Sequence, residues 1–177
     1  VIAASKHHKL TARRSVELAQ GSSELRLQSA AALVLDQSTG AVLFEKNAGA
    51  VLPIASISKL MTAMVVLDAK PNLEETLAIE EADVDMLKGT HSRLRVGTQL
   101  NREGMLRLAL MSSENRAASA LARNYPGGRQ AFITAMNQKA QSLGLQDTHF
   151  SDPTGLTAAN VSSANDLVKM VGAAQQY

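Results

Sequence analysis

Between Lys59 and Asp68 the chain reads Leu60-Met61-Thr62-Ala63-Met64-Val65-Val66-Leu67, with one hydroxyl and no charge. The run starts near Ser56, behind Pro53, and stops near Ala69, ahead of Pro71, so it is predicted to be a helix. A helix apolar on most of its faces has to be buried, and everything else in the chain must be arranged around it. The chain has 177 residues. That length predicts one domain or one and a fraction, and it can bury roughly 70% of the unfolded surface without help from a metal or disulfide. The run is too short for the roughly 18 residues of a membrane helix.

Composition removes several function classes. The chain contains no cysteine, which excludes a disulfide scaffold, a zinc-thiolate site, an iron–sulfur cluster and a thiol nucleophile. A net charge of +2 and an aromatic share of 3% give neither the basic footprint nor the stacking platforms of a nucleic-acid binder. His7 and His8 lack a further ligand at metal spacing, so no metal site and no cofactor is expected.

Residues 1–29 hold Lys6, His7, His8, Lys9, Arg13 and Arg14 with few apolar neighbours, and read as a basic, solvated extension. Ala31–Leu35 and Ala41–Glu45 flank the turn-rich Asp36-Gln37-Ser38-Thr39-Gly40 and predict a β-hairpin. A lone hairpin is marginal in water, and no later run is as strand-like, so the sheet looks thin. Short strands are expected at Leu77–Ile79 and Ser92–Val96. Asn101 caps a helix through Met111, Ser112–Asn115 turns, and helices follow over Arg116–Arg123, Arg129–Leu143 and Asn165–Gln176. Asp147–Thr157 is turn-rich, with Gly155 serving a turn, and Ser163 with Asp166 resembles a capping box. The divisions expected are the extension 1–29, a hairpin and central helix over 30–70, a mostly helical lobe over 71–160 and a returning helix over 161–177. A surface role is expected for His91 and a structural one for His149, while Arg116 is placed to pair with Glu114. Asn160-Val161-Ser162 matches a glycosylation sequon by pattern alone.

The chemistry-bearing feature is Ser56-Ile57-Ser58-Lys59. Residues three apart on a helix share a face, so the Ser56 hydroxyl and the Lys59 amine can meet. A serine hydroxyl becomes a nucleophile when a neighbouring base takes its proton. Lysine is such a base once desolvation has lowered its pKa, and Lys59 stands at the mouth of an apolar helix. The spacing is cheap, arising by chance about 0.7 times in a chain this long at ordinary residue usage. The plain alternative is an N-cap serine beside a snorkelling lysine. Ser113-Glu114-Asn115, on a turn between two helices, offers a hydroxyl and an amide that can face the same space.

Ser-x-x-Lys followed by Ser-x-Asn resembles the first two of three signatures of penicillin-binding proteins and class A β-lactamases. The stretches Leu52–Asp68, Ala109–Ala117, Asn124–Gly128 and Phe150–Leu156 extend the likeness to about residues 31–177. They resemble the low-molecular-mass D-alanyl-D-alanine peptidases, and the endopeptidases of that family most. The resemblance implies an α+β, β-lactamase and penicillin-binding transpeptidase-like fold, with helices packed on an antiparallel sheet plus a mostly helical lobe. It implies Ser56 as the acyl-accepting nucleophile, Lys59 as its base, Ser113 as proton relay to the leaving amine, and Asn115 as a contact to Lys59 and the substrate amide. It implies cleavage of peptidoglycan peptide cross-links through an acyl-enzyme, β-lactams as covalent inhibitors, and a periplasmic location. D-Ala-D-Ala carboxypeptidase activity and a non-catalytic cell-wall-binding fragment are the alternatives. The third signature, Lys-Thr/Ser-Gly, is absent; Lys88-Gly89-Thr90 has its composition in the wrong order. The expectation is therefore a fold incomplete at its C-terminal end and, as residues 1–177 alone, inactive or impaired.

Overall fold

The computed structural model describes residues 27–177. The basic extension up to residue 26 lies outside the described residues. The chain divides into two compact units, one ending at Ala50 and the other running from Val51 to Tyr177.

In the first unit β1 (Ala32–Leu35) and β2 (Val42–Lys46) pair antiparallel, Ala32 opposite Lys46 and Val34 opposite Phe44, with an irregularity after Val34. The turn is organised by Asp36. Its Oδ1 accepts the backbone N–H groups of Ser38 (2.9 Å) and Thr39 (3.0 Å), and Gly40 takes φ +71°. This side-chain capture of turn amides is what Asp does at loop entries.

The second unit is built around α1 (Ser58–Asp68). The elements that follow are β3 (Leu52–Pro53, preceding α1), β4 (Thr76–Ala78), β5 (Gln99–Asn101), α2 (Arg102–Met111), α3 (Asn115–Arg123), α4 (Gly128–Ser142), β6 (Val161–Ser162) and α5 (Ala164–Ala174). Helix α1 touches all four of the other helices. Met61, Met64, Val65 and Val66 pack with Met105, Leu121, Phe132, Met136 and Met170, all essentially inaccessible to solvent. Each such side chain contributes roughly 1.5–3 kcal/mol of transfer free energy. Tyr125 meets Phe132 edge-on at 5.2 Å between centroids. The two small sheets here pair β3 with β6 and β4 with β5, both antiparallel.

Two expectations are corrected. Ser92–Val96 is not a strand; the strand lies at Gln99–Asn101. Side chains consume the backbone groups that a ladder would need. Leu94 N–H donates to Ser92 Oγ (3.1 Å), Arg93 N–H to Glu114 (3.3 Å), and the Leu94 carbonyl accepts from Arg116 (2.8 Å). Nor does one regular helix run from Ser56. A 3-10 turn over Ala55–Ile57 precedes α1, with Ala55 at φ +46°. Asn101 caps its helix as expected, its Oδ1 accepting from Gly104 N–H (2.9 Å); Ser163 Oγ accepts from Asp166 N–H (3.2 Å), but the reciprocal half of the expected capping box is replaced, because the Asp166 carboxylate accepts from Asp147 N–H (2.7 Å) and Thr148 Oγ1 (2.9 Å).

Asn160 fastens the entrance of α1. Its backbone carbonyl accepts Ile54 N–H (3.0 Å). Its Oδ1 accepts the N–H groups of Ser151 (2.8 Å) and Asp152 (3.1 Å), while Nδ2 donates to Ser58 Oγ and the Asp152 carbonyl, both at 2.9 Å. The residue is fully buried. Asn160→Ala removes the side-chain amide from Ser151, Asp152 and Ser58, and is expected to lower the free energy of unfolding by about 2 kcal/mol, read as a shift in the urea midpoint.

Candidate active site

Ser56 is the middle residue of the 3-10 turn and is exposed, whereas Lys59, on the first turn of α1, is 2% exposed. The two fall on one face as their spacing predicts. Lys59 Nζ donates to Ser56 Oγ at 3.0 Å, to Ser113 Oγ at 3.2 Å and to the Thr154 carbonyl at 2.7 Å. These three acceptors use all the hydrogens of an ammonium group. Ser113 Oγ lies 2.7 Å from Ser56 Oγ, so the two hydroxyls and the amine form a closed triangle.

Burial pushes the Lys59 amine down from its ordinary 10.5 to about 8, against the carboxylates of Asp152 and Glu114, which act to raise it. At pH 7 roughly a tenth of the molecules carry it neutral, so the base form is populated without being dominant.

Backbone strain gathers at this point. Ala55 and Ser113 both occupy the left-handed region, at φ +46° and +54°. For a side chain with Cβ that costs of order 1 kcal/mol or more, and it persists only where the surroundings enforce it. At Ala55 the neighbour in closest approach is Gly155. Its φ is +81°, and a Cβ there would overlap the Ala55 carbonyl and lie 3.0 Å from Ser56 N.

The segment 152–157 is wound round the Asp152 carboxylate, which accepts from Thr154 N (2.5 Å), Thr154 Oγ1 (2.7 Å), Gly155 N (2.7 Å) and Thr157 N (3.0 Å). Burial acts to raise the Asp152 pKa, and these hydrogen bonds outweigh it, leaving the carboxyl below its ordinary value. Thr62 Oγ1 donates to the Pro153 carbonyl at 2.7 Å and ties the segment to α1. The result is a rigid carbonyl, that of Thr154, aimed at Lys59. Sequence reading missed Thr154 and Asp152, although Asp152-Pro153-Thr154-Gly155 carries the Asx-turn signal of an Asp followed by Thr and Gly.

Asn115 opens α3. Its Nδ2 donates to Thr90 Oγ1 at 3.2 Å. The contact with Lys59 that the sequence reading expects is not made, because the Lys59 hydrogens go to Thr154, Ser56 and Ser113. The expected Arg116–Glu114 pair is also replaced. Glu114 accepts from Ser92 Oγ at 2.7 Å, and Arg116 donates to the Leu94 carbonyl with its Nε buried and unpartnered. His149 pairs its backbone with Val161. Among the described residues no group of three or more His, Cys, Asp or Glu could hold a metal ion, and no helix is long and apolar enough to cross a membrane.

The family model described as D-alanyl-D-alanine carboxypeptidase matches residues 18–177. The chain belongs to this peptidase family. Two relatives named D-alanyl-D-alanine endopeptidase are similar to it. That of Pseudomonas aeruginosa is 56% identical over 151 residues, covering 85% of this chain and 49% of the relative. That of Escherichia coli is 51% identical over 155 residues, covering 88% and 50%. The chain thus spans about half the length of these curated relatives. The crystal structure of a Streptomyces DD-transpeptidase superposes with a TM-score of 0.76 at 31% identity, covering 86% of this chain and 63% of that one. The D-alanyl-D-alanine carboxypeptidase DacD of Francisella tularensis superposes at 0.74 and 27% identity, covering 84% and 37%. The family fold is the α+β, penicillin-binding and β-lactamase-like fold, and this chain carries part of it.

Proposed function

We propose that the protein is a serine D-alanyl-D-alanine endopeptidase that opens peptide cross-links of peptidoglycan in the periplasm and is acylated by β-lactams. The observation that carries the reading is the Ser56–Lys59–Ser113 triangle, with a buried amine whose pKa lies near neutrality. A neutral Lys59 takes the Ser56 proton, and Ser56 Oγ adds to the D-alanyl carbonyl carbon. The Ser56 backbone N–H, at a helix entrance, serves as one oxyanion donor. As the C–N bond breaks, Ser113 passes its proton to the leaving amine and takes one back from Lys59. Water then hydrolyses the Ser56 ester through the same groups in reverse. Asn115 holds a substrate amide. The Thr154 carbonyl fixes Lys59 throughout, since its hydrogen bond survives when the amine gives up a proton.

Endopeptidase action is preferred because the relatives of that name are 56% and 51% identical. A relative named carboxypeptidase, DacF of Bacillus subtilis, is 32% identical over 160 residues. The third signature of the family is absent from residues 1–177, so the test uses the full-length protein. Incubation with benzylpenicillin is expected to add the mass of one penicillin, mapping to the Ser56 peptide. A cross-linked muropeptide dimer is expected to fall to monomers. Absence of any adduct would leave a non-catalytic wall-binding role, and release of only a terminal D-alanine would make the enzyme a carboxypeptidase.

A further inference from the structure

In the connection between β4 and β5, exposure alternates although no strand forms. Ser92 and Leu94 are half-buried, while His91, Arg93 and Arg95 stand exposed. The two residues that flank Asn115 hold the inward positions. Glu114 accepts from Ser92 Oγ (2.7 Å) and from Arg93 N–H (3.3 Å), and Arg116 donates to the Leu94 carbonyl (2.8 Å). Leu94 N–H turns back onto Ser92 Oγ (3.1 Å). Further on, Thr98 N–H closes a turn on the Arg95 carbonyl (3.0 Å), and Gly97 N–H donates to the Ile79 carbonyl (2.8 Å). The segment is thus fastened beside the Ser113 turn at one end and to the residue after β4 at the other. Its outward side chains are displayed from a fixed backbone.

Arg93 and Arg95 are unspent. Neither guanidinium enters an ion pair among the described residues. The carboxylates of the same wall are committed elsewhere, Glu114 to Ser92 Oγ and Arg93 N–H, and Asp85 to the N–H groups of Leu87, Lys88 and Thr90. Lys88, exposed in the same connection, adds a further positive charge. The arginines border the reacting groups, because Glu114 follows Ser113, whose hydroxyl lies 2.7 Å from Ser56 Oγ. An arginine fork matches a carboxylate, two N–H donors to two oxygens. With the backbone groups of Arg93, Leu94 and Gly97 already taken, a peptide gains no regular ladder here by adding as a strand, so recognition falls to the side chains. We propose that Arg93 and Arg95 form a docking strip for free carboxylates of the peptide stems that flank the cross-link, holding the acidic stem beside the Ser113 turn. The inference rests on the peptidoglycan reading given above and names the part of that substrate the strip takes.

The test uses the full-length protein carrying Ser56→Ala, so that binding is read without turnover, with and without Arg93→Gln and Arg95→Gln together. The probes are a cross-linked muropeptide dimer and the same dimer with its free carboxylates amidated, each titrated by calorimetry. On the free acid the arginine changes are expected to raise Kd about fivefold, the scale of two solvent-exposed ion pairs, and to flatten its dependence on salt. On the amidated dimer they are expected to change nothing. Both side chains are exposed, so the thermal midpoint should stay within about 2 °C of the parent, which separates lost recognition from misfolding. With Ser56 present, the loss on the free acid should fall in KM rather than kcat. Unchanged Kd on the free acid, an equal loss on both dimers, or no measurable binding of the free acid by the Ser56→Ala protein would each overturn the strip. If the protein with Ser56 takes no penicillin adduct while the Kd pattern holds, the acyl-enzyme reading falls and the strip stands as part of a wall-binding surface.

Discussion

Lys59→Met is expected to slow benzylpenicillin acylation of the full-length protein about a thousandfold, the scale of losing a general base, while making the protein more heat-stable. Methionine keeps roughly the length of the side chain and can stay buried on the first turn of α1. It cannot take the Ser56 proton. In the parent, the acylation rate should rise about tenfold per pH unit up to the Lys59 pKa of about 8 and level off above it. In the variant this rise should be gone. The stability gain follows from the same burial. With a folded pKa of about 8 against an ordinary 10.5, the unfolded chain binds more protons between these values, so stability climbs with pH across that window. Below pH 8 both states carry the proton, and the folded state bears the full cost of a buried cation. That cost is at most about 3 kcal/mol, and the stranded Thr154 carbonyl offsets part of it, leaving a net gain of about 1 kcal/mol at pH 7. Stopped-flow acylation and calorimetry across pH 6–10 read both effects. A variant with the parent's pH profile would show that another group is the base.

The part of the site that was legible in the sequence is the part that one helix builds. Ser56 and Lys59 lie three residues apart, and the apolar run behind them forecast both a buried helix and a depressed lysine. Ser113 is separated from Ser56 by 57 residues, and no local pattern measures such a gap; its place came from resemblance. Thr154 escaped because it acts through a backbone carbonyl, which every residue has. Asp152 escaped because its work is to shape a turn. The β3–β6 pairing is two residues long on each side, below any periodicity signal. The misplaced strand at Ser92–Val96 failed for a related reason. Its alternation is real, but Glu114 and Arg116, more than 20 residues away in sequence, claim its backbone. Propensity loses to tertiary hydrogen bonding where a loop walls a site.

Gly155→Ala should separate the two things that glycine does here. Gly144 and Gly155 both take a left-handed φ, +67° and +81°, but a Cβ on Gly144 meets nothing within 4 Å, whereas on Gly155 it overlaps the Ala55 carbonyl. Gly144→Ala therefore costs only the conformational penalty of about 1 kcal/mol, and acylation should be unchanged. Gly155→Ala adds a clash of backbone against Cβ that no side-chain rotation relieves. Either the Ala55–Ser56 peptide retreats, carrying the Ser56 hydroxyl with it, or the 152–157 segment lifts and takes the Thr154 carbonyl from Lys59. A displacement of about 1 Å at a reacting group costs about a hundredfold in rate, and the expected stability loss is about 3 kcal/mol once repacking is added to the left-handed penalty. Thermal melts and acylation rates for the two variants, side by side, make the comparison. Equal behaviour of the pair would mean that the Ala55 conformation is held by something other than Gly155. The expected divergence would establish that the unfavourable φ at Ala55 is imposed from across the fold. On that result Ser56 owes its position to a glycine about a hundred residues downstream as much as to its own helix.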